Sequence, residues 1–414
     1  MVDKIQKKLI QNSVQIEEWL HKQEQSCCVP FYSSVDVRNA GFKAAVVDTN
    51  LFPAGFNNIL ITPKVIQALQ TAIKNRVPNA KNILFITEEH TRNKWYLENA
   101  LVLQNLMEKA GFSVTVASFL DPKNAVCDNE NTPFIDLETE TRKHIRLNCL
   151  HRILKDVEKD EKQFDLIILN NDLSTGIPEI LQKTSIPIYP SLQAGWHSRL
   201  KSHHFKVANA LLTDFAKLIE IDPWLLSCLF ESTDHIDINS EEDRQTLFVQ
   251  TDRLLKEIQK KYDEHTIQEK PFVFLKSDNG TYGMGIHVFE NAEDILTLNR
   301  KERNKLHVGK GSQVIERYIL QEGVPSIVRI EKNIGEACIY QIANQFMGGF
   351  YRINSQKTDR ENLNSQGMIF TQITDDPQLE LYQILARISG LAAKREICEL
   401  EQSKLPEALK IQCQ

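Results

Sequence analysis

The chain has 414 residues, 42% of them hydrophobic and 25% charged, which predicts two or three packed lobes with a cleft between them and no long disordered tail. Its 49 Lys and Arg against 55 Asp and Glu leave a net charge of -6, so we expect no nucleic-acid partner. No stretch approaches the roughly 20 apolar residues of a membrane span, and residues 1–11 are too polar for a signal peptide. We therefore expect a cytoplasmic protein with no membrane partner.

The eight cysteines are scattered, without the paired CxxC spacing of a zinc site, and are expected to be reduced thiols. The adjacent Cys27 and Cys28 leave open a redox-active or substrate-facing pair, although two small buried or half-buried side chains are the favoured interpretation. The sequence also leaves open whether copies of the chain form a homo-oligomer.

Residues 1–80 are predicted to form an N-terminal amphipathic helix and then an ordered loop that carries chemistry. The loop, 35–58, is rich in Asn, Gly and Pro and also contains aromatic residues. Asp48 and Asn50 project from one face of an extended segment in this loop, and their oxygen atoms are ligands that suit Mg²⁺. A turn rich in Asx residues explains the same pair equally well.

Residues 81–195 are predicted to form a parallel α/β lobe, because strands and helices alternate along the segment. Apolar runs at 83–86, 112–116 and 166–169 indicate buried strands, and Gly111 is expected to end the helix before the second of them. Residues 196–270 are predicted to be mostly helical and to form a lid or a bridging lobe.

Residues 271–375 are predicted to form an antiparallel α+β lobe. Its strands are expected at 272–275, 286–289, 314–319, 327–330, 337–342, 346–353 and 368–373. A helical segment at 376–414 closes the chain. The predicted fold class is therefore α/β followed by α+β.

A glycine-rich loop joins the strand that ends at Lys276 to a new strand that begins at Ile286. Glycines at 280, 283 and 285 let the backbone approach a ligand closely and direct N–H groups at phosphate oxygens, while Lys276 supplies a positive charge. Because no helix follows, the pattern is neither a Walker loop nor a dinucleotide-binding motif. A long hairpin turn with a solvated lysine is the alternative.

The strand predicted at 314–319 is interrupted by a charged pair, Glu316 and Arg317. Its backbone is a candidate for binding the edge of an adenine ring. Such a pair on a strand usually faces solvent, which is the alternative interpretation.

The strand-end lysine, the glycine-rich loop and the later strand with a glutamate resemble the nucleotide-binding half of ATP-grasp ligases. Asp48-Thr49-Asn50 is similar to the Glu-x-Asn magnesium motif of eukaryotic-type glutathione synthetases, with Asp in place of Glu. More closely, four segments resemble the ATP-grasp glutamate-cysteine ligases of some proteobacteria: VDVRNAGFK (35–43), VDTNLFPAGFNN (47–58), LKSDNGTYGMGI (275–286) and ENLNSQGM (361–368). The resemblance spans 34 to about 373 and implies an ATP-grasp fold, with a parallel α/β lobe preceding an antiparallel nucleotide-binding lobe.

The resemblance implies that Lys276 and the glycine-rich loop bind the phosphates of ATP, and that Glu316 with its neighbours lies at the adenine. The loop residues implied in ATP binding are Asp278, Asn279, Gly280, Thr281, Tyr282, Gly283, Met284 and Gly285. Similar ligases usually place a second phosphate-binding lysine before the nucleotide-binding lobe. We expect this to be Lys206, with Lys201 as the rival.

Two arginines are candidates for binding a substrate carboxylate. Arg352 resembles the arginine that similar ligases direct at this group ahead of a mobile loop, here 354–367. Arg38 is the other candidate, because a guanidinium can hold the α-carboxylate of glutamate through two hydrogen bonds. A surface salt bridge is the alternative for either arginine. The predicted catalytic residues are Lys276, Arg352 and Arg38, and the predicted substrate-binding residues are Asp36, Arg38, Asn39, Arg352, Asn362 and Asn364.

The activity implied is ATP-dependent ligation of L-glutamate, through γ-glutamyl phosphate, to the amine of L-cysteine. Asp48, Asn50 and Asp278 would hold Mg²⁺, for which Mn²⁺ is a substitute. The alternatives are glutathione synthetase or another amino-acid ligase with the same ATP handling, and a nucleotide-binding protein without ligase activity. The last would be favoured if Asp48 and Asp278 lay far from the glycine-rich loop.

Overall fold

The computed structural model describes residues 1–26, 29–120, 126–127, 133–159, 163–280, 285–309 and 314–403. Within these residues no helix is both long enough and apolar enough to cross a membrane. The α-helices of the described residues are α1 (Val2–Gln11), α2 (Ser13–Ser26), α3 (Pro63–Arg76), α4 (Lys94–Lys109), α5 (Leu150–Glu158), α6 (Glu179–Lys183), α7 (Lys201–Leu218), α8 (Glu241–Glu264), α9 (Arg300–His307) and α10 (Leu379–Ser403).

The parallel lobe is built on one sheet. Its strands are β3 (Asn82–Thr87), β4 (Ser113–Ser118), β5 (Val126–Cys127), β6 (Pro133–Glu138), β7 (His144–Cys149), β8 (Leu166–Asn170) and β9 (Ile188–Tyr189). The strand order is β5-β6-β7-β4-β3-β8-β9. The central strands β4, β3 and β8 pair in parallel, and β6 and β5 continue the sheet beside β7 as antiparallel strands. Asn93 caps α4 by accepting a hydrogen bond from the backbone of Tyr96, and Gly111 takes a positive φ of 95° just after this helix, as its predicted position requires.

A large antiparallel sheet joins the two ends of the chain. Its strands are β1 (Tyr32–Asn39), β2 (Ala44–Asn50), β14 (Arg329–Ile330), β15 (Asn333–Ile342), β16 (Gln345–Ile353) and β17 (Ile369–Gln372). The order is β17-β16-β15-β1-β2, with β14 paired to β15. A hairpin from the first fifty residues therefore continues a sheet formed after residue 328.

A small antiparallel sheet consists of β10 (Phe230–Thr233), β11 (Val273–Ser277), β12 (His287–Phe289) and β13 (Tyr318–Glu322). The strand order is β10-β13-β11-β12. The long helices α7 and α10 pack together, and α10 also contacts β1 and β2. Phe215 of α7, Leu385 of α10 and Val35 of β1 lie in the same buried cluster, which fixes the back of the large sheet.

The predicted order, a parallel α/β lobe before an antiparallel lobe, is confirmed. Two details differ. The stretch 35–58, interpreted as a loop, begins with the hairpin of β1 and β2 and is irregular only from Leu51. The segment has the polar composition of a loop because one face of the hairpin lines a polar cavity. Val35 and Val37 on the other face are buried.

The strands predicted within 271–375 are divided between the two antiparallel sheets, and the one expected at 314–319 begins at Tyr318 instead. Because the large sheet also takes β1 and β2, its pairing crosses the segment boundaries proposed from the sequence. Those boundaries remain a prediction.

Candidate active site

A cavity of about 1140 Å³ lies where the three sheets meet. The front face of the large sheet forms its floor, and the small sheet contributes Phe274 and Lys276 of β11. Tyr96 and Asp172 line it from beyond the carboxyl ends of β3 and β8, the edge at which ligands of parallel sheets bind. The floor residues share one face because side chains alternate along strands; they include Ser34, Asp36, Arg38, Asp48, Asn50, Glu336, Tyr340, Phe350 and Arg352.

Lys276 reaches the cavity from β11. Its Nζ donates hydrogen bonds to Oε1 of Gln321, at 2.6 Å, and to the backbone oxygen of Val47, at 3.3 Å. Burial lowers the pKa of the Lys276 ammonium to about 8, although the nearby Asp48 opposes the change. The ammonium is thus held next to β2 mainly by neutral acceptors, which leaves its charge available to an anionic ligand.

Asp48 of β2 forms an ion pair with Lys201, the first residue of α7. Burial acts to raise the pKa of Asp48, but the positive charges of Lys201 and Lys276 outweigh it and bring the pKa to about 2. Asp48 is therefore an anion at any physiological pH, as a ligand of a hard cation must be.

Asp48 and Asn50 bring to the cavity two oxygen donors of the kind that a hard divalent cation takes. Asn50 lines the cavity and accepts a hydrogen bond from the backbone of Phe52 at 2.9 Å, so its oxygen is oriented by an Asx turn. No cluster of three or more His, Cys, Asp or Glu able to hold a metal occurs in the described part of the chain. One or two protein oxygens beside a phosphate site are what Mg²⁺ takes in phosphate-transferring enzymes.

The glycine-rich loop is attached to the start of α7. The carboxylate of Asp278 is buried and accepts hydrogen bonds from the backbone and hydroxyl of Ser202, at 2.7 and 2.6 Å, and the Asp278 carbonyl accepts one from the backbone of Lys201 at 2.8 Å. Asn279 donates from its amide to the carbonyl of Trp196 at 3.2 Å. Neither Asp278 nor Asn279 lines the cavity. Asp278, which was predicted to be a metal ligand, instead caps the N-terminus of α7.

Gly280 does line the cavity, and a Cβ there would collide with the indole ring of Trp196. Only glycine fits at this position. Gly285 takes a positive φ of 65° where the chain enters β12 and does not line the cavity. The other predicted loop residues, Thr281, Tyr282, Gly283 and Met284, lie outside the described residues, as do Cys27 and Cys28.

Two further residues expected at the ATP site lie apart from the cavity. Lys206 is exposed on α7, whereas its rival Lys201 lines the cavity. Glu316 is exposed ahead of β13, and its carbonyl accepts a hydrogen bond from the backbone of Ile236 at 2.9 Å. The lysine that accompanies Lys276 in the cavity is therefore Lys201.

Both predicted arginines belong to one buried ionic network. Arg352 donates from Nη1 to Asp36 at 2.8 Å and to Glu336 at 2.6 Å, and Arg38 donates from Nε to the other oxygen of Glu336 at 2.8 Å. Burial acts to raise the pKa of Glu336, but the two guanidinium groups lower it overall. Asn39, predicted beside them, points to the opposite side of the sheet and donates to the Tyr382 hydroxyl at 3.0 Å.

The irregular segment 354–367 covers one end of the cavity and contributes Asn362 and Asn364 to its lining. The backbone of Asn364 donates to the Asn362 side chain at 3.0 Å. Arg38 holds the segment through the carbonyls of Asp359 and Glu361, at 3.1 and 2.6 Å. The segment is thus hydrogen-bonded to the sheet that carries the ionic network.

Several cavity residues were not found from the sequence. They are Glu336 and Gln321, an aromatic wall of Tyr340, Phe350 and Phe370, and Tyr96 and Asp172 at the parallel sheet. For Glu336 and Tyr340 the available signal was their alternate spacing with Cys338, which places all three on the same face of a strand. A nucleotide-binding protein without ligase activity would be favoured if Asp48 and Asp278 lay far from the glycine-rich loop. They do not, because Lys201 contacts both Asp48 and Asp278.

The whole chain can be compared with known proteins. The family described as glutamate-cysteine ligase matches residues 6–397. A crystal structure from Methylobacillus flagellatus KT, of a protein assigned as a gamma-glutamylcysteine synthetase, is 36% identical, with a TM-score of 0.85 and 96% of each chain covered. D-alanyl-alanine synthetase A from Vibrio cholerae O1 biovar eltor str. N16961 is 11% identical, with a TM-score of 0.39 and with 76% of this chain and 81% of that one covered. No curated protein matches the chain.

Proposed function

The chain belongs to the glutamate-cysteine ligase family, and we propose that the cavity on the large sheet is where ATP, glutamate and cysteine meet. The protein is an ATP-dependent ligase that joins L-glutamate to L-cysteine, as the sequence predicted in preference to glutathione synthetase or a non-catalytic protein. Its fold is of the ATP-grasp type. The observation that carries the proposal is the convergence of Lys276, Lys201, Asp48 and Arg352 in one cavity.

Lys276, Lys201 and the loop at Gly280 bind the phosphates of ATP in this proposal. Both ammonium groups lie at β2, where their positive charges stabilise the negative charge that develops on the transferred phosphoryl group. Phe274 and Ile286, which also line the cavity, offer apolar surface to the adenine. The adenine-binding role of Glu316 remains a prediction, and its exposed side chain lies apart from the cavity.

A divalent metal accompanies ATP in such ligases, and we propose Mg²⁺, with Mn²⁺ as a substitute, held by Asp48 and Asn50. When bound, the ion would neutralise charge on the β- and γ-phosphates. The helix-capping role of Asp278 does not support its place among the ligands.

Arg352 binds the α-carboxylate of glutamate, and the γ-carboxylate points toward the phosphates at β2. The γ-carboxylate oxygen attacks the γ-phosphorus, the bond to ADP breaks, and γ-glutamyl phosphate forms. The amine of cysteine then attacks the acyl carbon, the nitrogen loses a proton, and phosphate leaves. No side-chain nucleophile is needed, since positioning and fixed charge supply the catalysis. The segment 354–367 limits access of water to the acyl phosphate.

A reducing compartment fits this chemistry, because free cysteine is a substrate. The buried cysteines Cys149, Cys228 and Cys338 are free thiols, and we place the protein in the cytoplasm on this support.

Phosphate release from ATP tests the function. The purified protein is given glutamate alone, cysteine alone, both together, or γ-glutamylcysteine with glycine. Release with glutamate and cysteine together, and with no other combination, is the expected result. Release with the dipeptide and glycine would instead assign the cavity to a glutathione synthetase.

A further inference from the structure

The carboxylate of Glu336 bridges two arginines beneath the cavity. The residue lies on β15, directly opposite Arg352 on β16, and is 3% exposed. One carboxylate oxygen accepts from Arg352 at 2.6 Å and the other from Arg38 at 2.8 Å. Both oxygens are therefore committed to guanidinium groups, and the charge of Glu336 is shared between them.

The two arginines have different tasks beyond this shared partner. Arg352 lines the cavity, and its Nε is buried without a hydrogen-bond partner among the described residues. Arg38 directs its remaining nitrogens at main-chain carbonyls of Val324, Asp359 and Glu361, at 3.4, 3.1 and 2.6 Å. Both arginines line the cavity, but Arg352 keeps a nitrogen without a partner in the part of the chain that the structure describes, whereas Arg38 holds the segment that covers the cavity.

We propose that Glu336 is a positioning residue that links glutamate binding at Arg352 to the placement of segment 354–367 over the cavity. The proposal rests on the proposed role of Arg352. Without the charge of Glu336, Asp36 remains as the carboxylate partner of Arg352, but Arg38 loses the carboxylate that holds it, and its hydrogen bonds to Asp359 and Glu361 are weakened as it moves. The segment then loses its hydrogen bonds to Arg38, and Arg352 loses one of its two carboxylate partners.

Glu336→Gln is the direct test, because it removes the charge with almost no change of size. The KM for glutamate is expected to rise about tenfold or more, while the KM for ATP changes by less than about twofold. A residue that only stabilised the fold would not produce this selective change. Trypsin supplies a second measurement, since Lys357 and Arg360 lie in the segment and their side chains are 31% and 23% exposed.

In the wild-type protein, ATP, Mg²⁺ and glutamate together are expected to slow cleavage at Lys357 and Arg360 severalfold. In Glu336→Gln the free protein should be cut faster, and the ligands should no longer protect it. Glu331→Gln is the matched control, because Glu331 is exposed in the turn before β15. Its KM values and cleavage rates are expected to equal those of the wild type.

Glu336→Asp covers the case in which Glu336→Gln does not fold. It keeps the charge but shortens the reach, so the KM for glutamate should still rise while the KM for ATP does not. An unchanged KM for glutamate, or equal rises for all substrates with unchanged cleavage, overturns the proposal. The wild-type phosphate assay tests the ligase function separately, so failure of one is distinguishable from failure of the other.

Discussion

Lys276 and Gln321 lie on neighbouring strands of the small sheet, and the ammonium of the lysine donates a 2.6 Å hydrogen bond to the side-chain carbonyl of the glutamine. Gln321 is 1% exposed, so this carbonyl is a fixed point. A neutral acceptor orients the ammonium without neutralising it, which suits the phosphate-binding role proposed for Lys276.

Lys276→Ala is expected to lower kcat/KM by about a hundredfold or more, because a charge that faces the developing phosphoryl charge contributes ~3 kcal/mol. Steady-state kinetics with ATP as the varied substrate measure the effect. The thermal midpoint should change little, and an intact rate would contradict the assignment of Lys276 to the phosphates.

The pH profile should report the same lysine. Its pKa is lowered to about 8, so the ammonium is charged below that pH and loses its proton above it. The kcat/KM for ATP, which reports the free enzyme, is therefore expected to fall as the pH rises through about 8. Gln321→Glu places a carboxylate beside the ammonium and should move this fall to higher pH. Superimposable profiles for the two proteins would exclude Lys276 as the titrating group.

Lys201 and Lys206 form a matched pair on one helix. Lys201→Ala should raise the KM for ATP and lower kcat/KM by about tenfold or more, because it removes a cation from the cavity. Lys206→Ala, at an exposed position, should leave both constants within about twofold of the wild type. Equal effects of the two substitutions would show that Lys201 does not act on ATP.

Asp48→Asn is expected to raise the Mg²⁺ concentration needed for half-maximal activity, because an amide oxygen replaces an anionic ligand of a hard cation. The substitution also leaves Lys201 without its ion-pair partner. Activity is measured as a function of Mg²⁺ at fixed ATP, and a curve identical to that of the wild type would remove Asp48 from the metal site.

The buried pair Lys43 and Glu322 yields a prediction about stability. Both side chains are 0% exposed and their charged atoms are 2.8 Å apart. Lys43→Met leaves the buried Glu322 carboxylate without its charged partner, with hydrogen bonds from Trp224 and the backbone of Leu229 remaining, and we expect a loss of about 3–5 kcal/mol, measured by urea unfolding. Lys183→Met breaks an exposed pair with Glu179 and should cost less than about 1 kcal/mol. A similar midpoint for both variants would mean that the buried pair contributes no more than the surface one.

Local features of the site could be predicted from the sequence because they depend on neighbouring residues. Lys276 ends an apolar strand and Gly280 follows in the same loop, so strand, charge and glycine are visible together. The choice between Lys201 and Lys206 depends on where α7 begins and on helix phase. Side chains five positions apart on a helix point about 140° away from each other, so Lys206 points out of the cavity when Lys201 points into it.

Other features depend on pairing between distant strands. Glu336 meets Arg38 across 298 positions of sequence, and no local pattern encodes that neighbour. Asn39 was grouped with Asp36 and Arg38 by proximity in sequence, but it belongs to the other face of the sheet, where it contacts Tyr382. The hairpin of β1 and β2 was interpreted as a loop because its polar face lines the cavity.

The closure of the large sheet by strands from opposite ends of the chain has a consequence during synthesis. The hairpin that carries Asp48 is made before its partner strand β15, which does not exist until residues 333–342 have been made. Contacts between such distant segments form slowly, because a long loop must close before they contribute any stability. A nascent chain that lacks β15 has Asp48 and Asn50, the proposed metal ligands, but no paired sheet on which to arrange them, so the site assembles only after β15 has been made.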